Sequence, residues 1–339
     1  RGSSMADRGP SLDRDIVFLS GSRTGFGAFG GALKDLSATD LGVVSSEAAI
    51  AAAGIQAGDV DHTFFGNALQ TSADAIYLAR HVGLRSGVPE DRPALTVNRL
   101  CGSGFEAIVQ GAKALLLGDA RVTLCGGTES MSQAPHVIRG ARWGRLRLGD
   151  AGGMFEDMLW ESLMDSNCGL TMAQTAEELA DRYGVTREEA DGVALASPHR
   201  AAAAWEQGRF DVEVVPVTLR GRKGEVQFRS DEHLRPDTTL EALGGLRPYF
   251  RKDGLVTAGN ASGIGDGAAA TVLADGEWAR ERGLKPLGRL VSWAFVGVEP
   301  KVMGIGPAPA ARKALDRAGL GLDDMDLYEV NEAFAPQYK

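Results

Sequence analysis

A cysteine at the seam between a strand and a helix is a ready nucleophile, and Cys101 occupies such a seam. It lies in Thr96-Val97-Asn98-Arg99-Leu100-Cys101-Gly102-Ser103-Gly104, where an apolar strand-like run gives way to a helical pattern. A turn at that point aims the side chain out of the sheet, as a nucleophile elbow aims a serine. The free N–H groups and positive dipole end of the following helix favour thiolate over thiol. Gly102 and Gly104 let the backbone approach a bound molecule closely. A thiolate so placed is suited to carrying an acyl group as a thioester, because sulfur is a strong nucleophile and a fair leaving group. Of the other cysteines, Cys125 falls inside a predicted strand and reads as core. Cys168 has no base near it in sequence.

Two further patterns could carry chemistry. Gly25-Phe26-Gly27-Ala28-Phe29-Gly30 matches the G-x-G-x-x-G of dinucleotide sites. Its glycines begin five residues after Ser20, no helical pattern starts at the third glycine, and no acidic residue closes a second strand, so a nicotinamide site is disfavoured. The basic run Arg139, Arg142, Arg145 and Arg147 is either a solvated loop or an attractor for an anionic substrate. The histidines His62, His81, His136, His199 and His233 have no metal-ligand spacing, and no metal site is expected.

The elements that must position these residues read as an α/β chain. The 339 residues are 44% hydrophobic with 45 glycines, enough for a large core and for tight layering of helices on strands. A net charge of −9 argues against nucleic acid as a partner. Three widely spaced cysteines make no disulfide framework and fit a reducing compartment. No apolar run approaches the roughly 20 residues that cross a bilayer. The polar start lacks a signal-peptide core, so a bacterial cytoplasmic enzyme with no membrane partner is expected. Ile16–Ser20, Val60–Phe65, Ala94–Asn98, Arg121–Cys125 and Ala268–Leu273 read as strands. Leu41 to Ala52, Phe105 to Leu116, Thr175–Tyr183 and Glu188–Gln207 read as helices. Strand, helix and strand around Cys101 make a βαβ unit.

An internal repeat is also visible. Gly54 to Ala68 lies on Gly319 to Ala333 without a gap, so that Asp59 meets Asp324 and Asp61 meets Asp326. The first copy runs from about Asp15 to Ser132. The second starts near Pro286 and reaches Lys339 before any counterpart of the βαβ unit, so an incomplete second half is expected.

Four motifs then resemble one family in the same order. Asn98 to Gly104 resembles the acyl-cysteine motif of the thiolases, and Gly126-Gly127-Thr128-Glu129-Ser130-Met131-Ser132 the motif after their next strand. Thr257-Ala258-Gly259-Asn260-Ala261-Ser262-Gly263 resembles their coenzyme A loop, and Asn331-Glu332-Ala333-Phe334 their oxyanion-hole motif. Asp74–Val88 and Asn331–Tyr338 most resemble the mitochondrial-type 3-ketoacyl-CoA thiolases. The resemblance implies duplicated α/β halves with mostly parallel sheets in layered packing and an inserted loop domain. On this sequence that gives residues 1–12 as leader or tag, 13–132 with 256–284 as the N-terminal half, 133–255 as the insert for coenzyme A binding and oligomer contacts, and 285–339 as the start of the C-terminal half.

The implied roles are Cys101 as acyl carrier and Asn331 as holder of the water that stabilises an enolate or ketone oxygen. Arg235, Thr238, Ser262 and Ala258 would contact coenzyme A, and Met172, Phe250 and Phe334 would line the pantetheine channel. The implied activity is reversible Claisen cleavage of 3-ketoacyl-CoA, with coenzyme A as substrate, no resident cofactor, and a homodimer or homotetramer. An acetoacetyl-CoA-forming acetyltransferase is the alternative, and an inactive acyl-CoA-binding fragment or a ketosynthase-like condensing enzyme stand behind it. The family also uses a histidine in Gly-His-Pro and a second cysteine, both after the Asn-Glu-Ala-Phe segment. No histidine or cysteine follows Asn331 here.

Overall fold

In the computed structural model, which describes residues 14–144, 155–222 and 224–339, the apolar run Ile16–Thr24 forms β1. The leader at 1–12 lies outside the described residues, as do Arg145 and Arg147. After β1 come β2 (Gly27–Ala28), α1 (Ala38–Ala52), β3 (His62–Gly66), α2 (Leu78–Arg85), β4 (Ala94–Val97), α3 (Ser103–Leu117) and β5 (Val122–Ser130). Next are β6 (His136–Ile138) paired with β7 (Phe155–Asp157), α4 (Met158–Ser162), β8 (Met164–Asp165) paired with β9 (Leu170–Thr171), and helices α5 (Met172–Tyr183) and α6 (Arg187–Glu206). Then follow β10 (Val214–Val215), the hairpin of β11 (Val217–Gly221) with β12 (Gly224–Phe228), and α7 (Leu240–Gly244). The chain ends with β13 (Gly265–Asp275), α8 (Gly276–Glu281), β14 (Gly288–Leu290), α9 (Pro307–Ala318) and α10 (Ala335–Tyr338).

One sheet carries the core, in the order β10-β1-β13-β5-β3-β4, with β14 also on β1 and β2 also on β13. Side chains alternate across it. Val17, Leu19, Phe65, Leu124 and Val272 face α1, α2 and α8, through Ile50, Leu78, Val82 and Trp278. Their neighbours Ile16, Phe64, Cys125 and Leu273 face α3, through Ala107, Ala112 and Leu115. The result is a helix–sheet–helix layering. The stretch Leu100–Leu117 is, among the described residues, long and apolar enough by length and composition to cross a membrane, with a mean hydropathy of 1.2 over 18 residues. Here it packs α3 on the sheet instead.

The sheet is mixed, not mostly parallel. β3 runs parallel to β4 and β5, and β1 to β10, but β13 runs antiparallel to both β1 and β5. The cause is where the chain returns after the segment that follows β5. Asp266 pairs with Ser130 and Ala274 with Val122, so β13 starts beside the end of β5 and must run back along it. β10, from within residues 133–255, adds to the sheet at the edge of β1.

Capping fixes the helix limits. Ser37 Oγ accepts from Asp40 N–H at 3.1 Å and Asp40 Oδ2 accepts from Ser37 N–H at 3.0 Å, a reciprocal box. Gly54, just past the end of α1, sits at φ +69°. The repeat is visible at this level: Gly319, just past α9, sits at φ +70°. A single 3₁₀ turn follows each, Ala57–Asp59 and Leu322–Asp324. In each turn the aspartate accepts a backbone N–H, Asp59 from Gln56 at 2.9 Å and Asp324 from Gly321 at 2.7 Å. The copies then diverge. β3 is flanked by β4 and β5, whereas its counterpart at 327–331 forms no strand.

Candidate active site

Short-range hydrogen bonds build the cysteine turn. Asn98 Oδ1 accepts from Leu100 N–H at 2.8 Å, and Asn98 Nδ2 donates to the Ala68 carbonyl at 3.1 Å. Ser103, the first residue of α3, donates through Oγ to the Leu100 carbonyl at 2.6 Å and accepts from Arg99 N–H at 2.8 Å. Leu100 is thereby held at φ +49°. That left-handed conformation costs a residue with a Cβ about 1–2 kcal/mol, a strain kept only where surrounding bonds over-determine it. Cys101 comes next, exposed, with Gly102 as the cap of α3 behind it.

Two carboxylates brace this turn. Burial alone would raise Glu106, but hydrogen bonds from Gln110 and Arg99 outweigh it and hold the carboxyl below its usual range. The Arg99 guanidinium also lies over the Phe295 ring, 4.1 Å from its centroid. Glu129, in the second motif, accepts from Ala68 N–H, from Leu69 N–H at 3.1 Å and from Asn67 Nδ2 at 2.8 Å. Burial pushes Glu129 up, and those donors offset only part of the rise. Ala68 links it to Asn98, and so to the turn. Cys125 is a different thiol: fully buried, with its pKa pushed up to about 12 by that burial. Cys168 is half-buried.

The loop from Leu255 to Ser262 is held from within. Glu177 of α5, fully buried, accepts from Leu255 N–H at 2.9 Å and Val256 N–H at 2.8 Å, and pairs with Arg251 at 3.2 Å. Asn260 Nδ2 donates to the Leu255 carbonyl at 2.8 Å and to Asp191 at 3.0 Å, while its Oδ1 accepts from Thr257 N–H at 2.8 Å. This leaves Ala258 and Ser262 exposed. The segment Asn331 to Phe334 runs alongside: Ser262 N–H donates to Ala333 at 2.9 Å, Ala335 N–H to Asn260 at 2.8 Å, and Ala261 bridges Phe334. Phe250 and Phe334 pack with Val256, Ala173 and Ala176, and Met172 heads the same helix. Thr238 Oγ1 donates to the Arg235 carbonyl at 2.8 Å, and His199 Nε2 donates to the Thr238 carbonyl at 3.0 Å.

The structure thus gathers Ala258, Ser262, Phe250, Phe334 and Met172. Arg235 is exposed on the turn that Thr238 closes. Asn331 lines an open cleft of about 440 Å³ with Tyr328, Glu332 and Tyr338. Among the described residues, no hydrogen bond, ion pair or β-bridge joins the Cys101 turn to Asn331. Arg139, from the basic run, is paired with Glu156. Glu177, Glu129, Asp191 and Asn260 were not anticipated as supports. One signal was available: Glu177 falls among Ala173, Ala176 and Ala180, on the apolar stripe of its helix, where an acid must find partners.

An exposed thiol on a strained strand-to-helix turn of a layered α/β sheet, with a separate braced loop beside a pair of packed phenylalanines, is the arrangement to set beside known enzymes. The chain belongs to the thiolase family: residues 16–277 match "Thiolase, N-terminal domain" and residues 284–338 match "Thiolase, C-terminal domain". It is 51% identical over 328 residues to the human mitochondrial 3-ketoacyl-CoA thiolase, covering 97% of this chain and 82% of the relative. It is 45% identical over 326 residues to an acetyl-CoA acetyltransferase of Syntrophomonas wolfei, covering 96% and 82%. Crystal structures of the human mitochondrial 3-ketoacyl-CoA thiolase superpose with a TM-score of 0.93, covering 97% of this chain and 82% of that one. In complex with CoA the score is 0.90, covering 96% and 81%, with 50% identity in both.

Proposed function

We propose that this chain carries out thiolase chemistry on 3-ketoacyl-CoA, with Cys101 as the acyl carrier. The Cys101 thiolate attacks the 3-keto carbon and the C2–C3 bond breaks, its electron pair passing to C2. The proton given up by the Cys101 thiol ends on C2, relayed by water, so acetyl-CoA leaves and the shortened acyl group stays on sulfur. A second coenzyme A thiol attacks that thioester and restores Cys101. Asn331 orients the water that stabilises oxyanion charge. Arg235, Thr238, Ala258 and Ser262 hold coenzyme A, and Met172, Phe250 and Phe334 line the passage for its pantetheine arm. The observation that carries the reading is the exposed Cys101 thiol beside left-handed Leu100, in a turn tied down by Asn98 and Ser103.

The half-reaction that forms and breaks only the Cys101 thioester is exchange of labelled coenzyme A into acetyl-CoA. The chain is expected to support it, and Cys101→Ser to lose it by at least about a hundredfold. Equal exchange by the two proteins would refute the assignment. A second reading, formation of acetoacetyl-CoA from two acetyl-CoA molecules, is favoured by the relative of that name. It uses the same residues in the reverse direction.

We also infer a homodimer across β4. Among the described residues this strand ends the sheet order and pairs with β3 alone, leaving an open edge. Leu95 on it, and Ile76, Tyr77, Leu100 and Phe105 in the neighbouring segments, are large and exposed.

A further inference from the structure

We infer that the glycine-rich loop is an internal anion cradle, filled by the carboxylate of Glu232, and that this plug sets the position of Arg235 for coenzyme A. The second half of the inference rests on the reading of Arg235 as a coenzyme A contact.

The G-x-G-x-x-G spacing at Gly25–Gly30 is that of a phosphate loop, yet its third glycine opens no helix, since α1 begins only at Ala38. The loop's free N–H groups have another acceptor. Ala28 N–H donates to Glu232 Oε2 at 2.8 Å, and Ala32 N–H to the same oxygen at 3.1 Å. Phe26 N–H donates to Asp231 Oδ1 at 2.9 Å, and the Phe26 carbonyl accepts from Glu232 N–H at 2.9 Å. Two backbone donors four residues apart converge on one carboxylate oxygen, much as backbone N–H groups elsewhere converge on a phosphate, and bonds to a carboxylate are the strong ones.

The glycines are what let the acid in. A Cβ at Gly31 would collide with Glu232 Oε2, and one at Gly25 would stand 2.5 Å from the Ser230 carbonyl. The cradle itself is fixed. β2 pairs with Gly265 and Asp266 of β13, and Gly30 N–H donates to Ser132 Oγ at 2.9 Å.

From this plug the chain needs three residues to reach Arg235. Arg235 Nη1 donates to the Glu232 carbonyl at 2.8 Å, so the arginine is referenced to the plugged residue itself. His233 Nε2 donates to the Ile264 carbonyl at 2.9 Å, two residues from Ser262. The turn is therefore set by Glu232 on one side and tied to the Ser262 loop on the other. Glu232 is a positioning residue: it touches no substrate.

The test is titration calorimetry of coenzyme A into the full chain, with iodoacetamide alkylation of Cys101 and amide exchange at Ala28 and Ala32 as parallel readouts. Glu232→Ala is expected to weaken coenzyme A about tenfold, to speed exchange at both amides, and to leave Cys101 alkylation as in the wild type. Glu232→Gln should fall between, and Gly31→Ala should mimic Glu232→Ala with the carboxylate still present. Unchanged affinity in Glu232→Ala, where Arg235→Ala weakens binding, would overturn the proposal. So would alkylation spreading to buried Cys125, which marks general collapse. If Arg235→Ala leaves affinity intact while Ala28 and Ala32 exchange faster in Glu232→Ala, the cradle stands and the link to coenzyme A is overturned.

Discussion

Glu106 shows how much of the setting of the proposed nucleophile lies in side chains other than its own. It is buried in the first turns of α3 and bonded to Arg99, two residues before Cys101. Its carboxyl is held below the usual range, so its stabilisation is complete above that range and disappears as pH falls through the lowered folded value. Glu106→Gln is therefore expected to cost about 2 kcal/mol near neutral pH, with the gap to wild type closing in acid. Melting temperatures of both proteins across pH check this, and a gap that widens in acid would contradict it. At this scale the placement of Cys101 on a strand-to-helix turn was legible from its own neighbours, because strand residues, glycines and a helical pattern are local signals. The supports were not. Glu129, Glu177 and Glu232 act through backbone groups far away in the chain, which no spacing rule reaches, and Glu106 through the side chains of Arg99 and Gln110.

Helices were the most readable elements. Ser37 with Asp40, and Gly54 and Gly118 in left-handed conformation, punctuate α1 and α3 with short-range chemistry. The direction of β13 was not readable, since it depends on where the chain returns after more than a hundred intervening residues. The elements also meet closely at the site. Gly66, the last residue of β3, lies under the start of α3, where a Cβ would stand 2.7 Å from Ser103 Cβ and 2.8 Å from its carbonyl carbon. Backbone cannot yield as a flexible side chain can, so Gly66→Ala must shift the helix that presents Cys101. It is expected to destabilise the protein by about 1–3 kcal/mol and to slow acylation of Cys101 beyond what the stability loss explains. Wild-type acylation in a folded Gly66→Ala protein would contradict this account of how the sheet sets the thiol.

Across the whole molecule, an acidic protein of net charge −9 must meet the anionic coenzyme A with local features, the part proposed for Arg235, not with its overall field. The repeat was readable at this scale because Gly, Asp and Ala recur at equal spacing, and the two left-handed glycines now give it a conformational basis. The open edge of β4 carries a further expectation: sedimentation should give the mass of a dimer, and Leu95→Lys should shift it toward monomer, whereas a monomeric wild type would dismiss that interface. The central claim is that an acyl group rests on the sulfur of Cys101. Its most direct measurement is peptide mass mapping of the full chain after incubation with acetyl-CoA. The account predicts an acetyl thioester on the peptide holding Cys101 and none on buried Cys125. No adduct at Cys101, or one confined to Cys168, would contradict it.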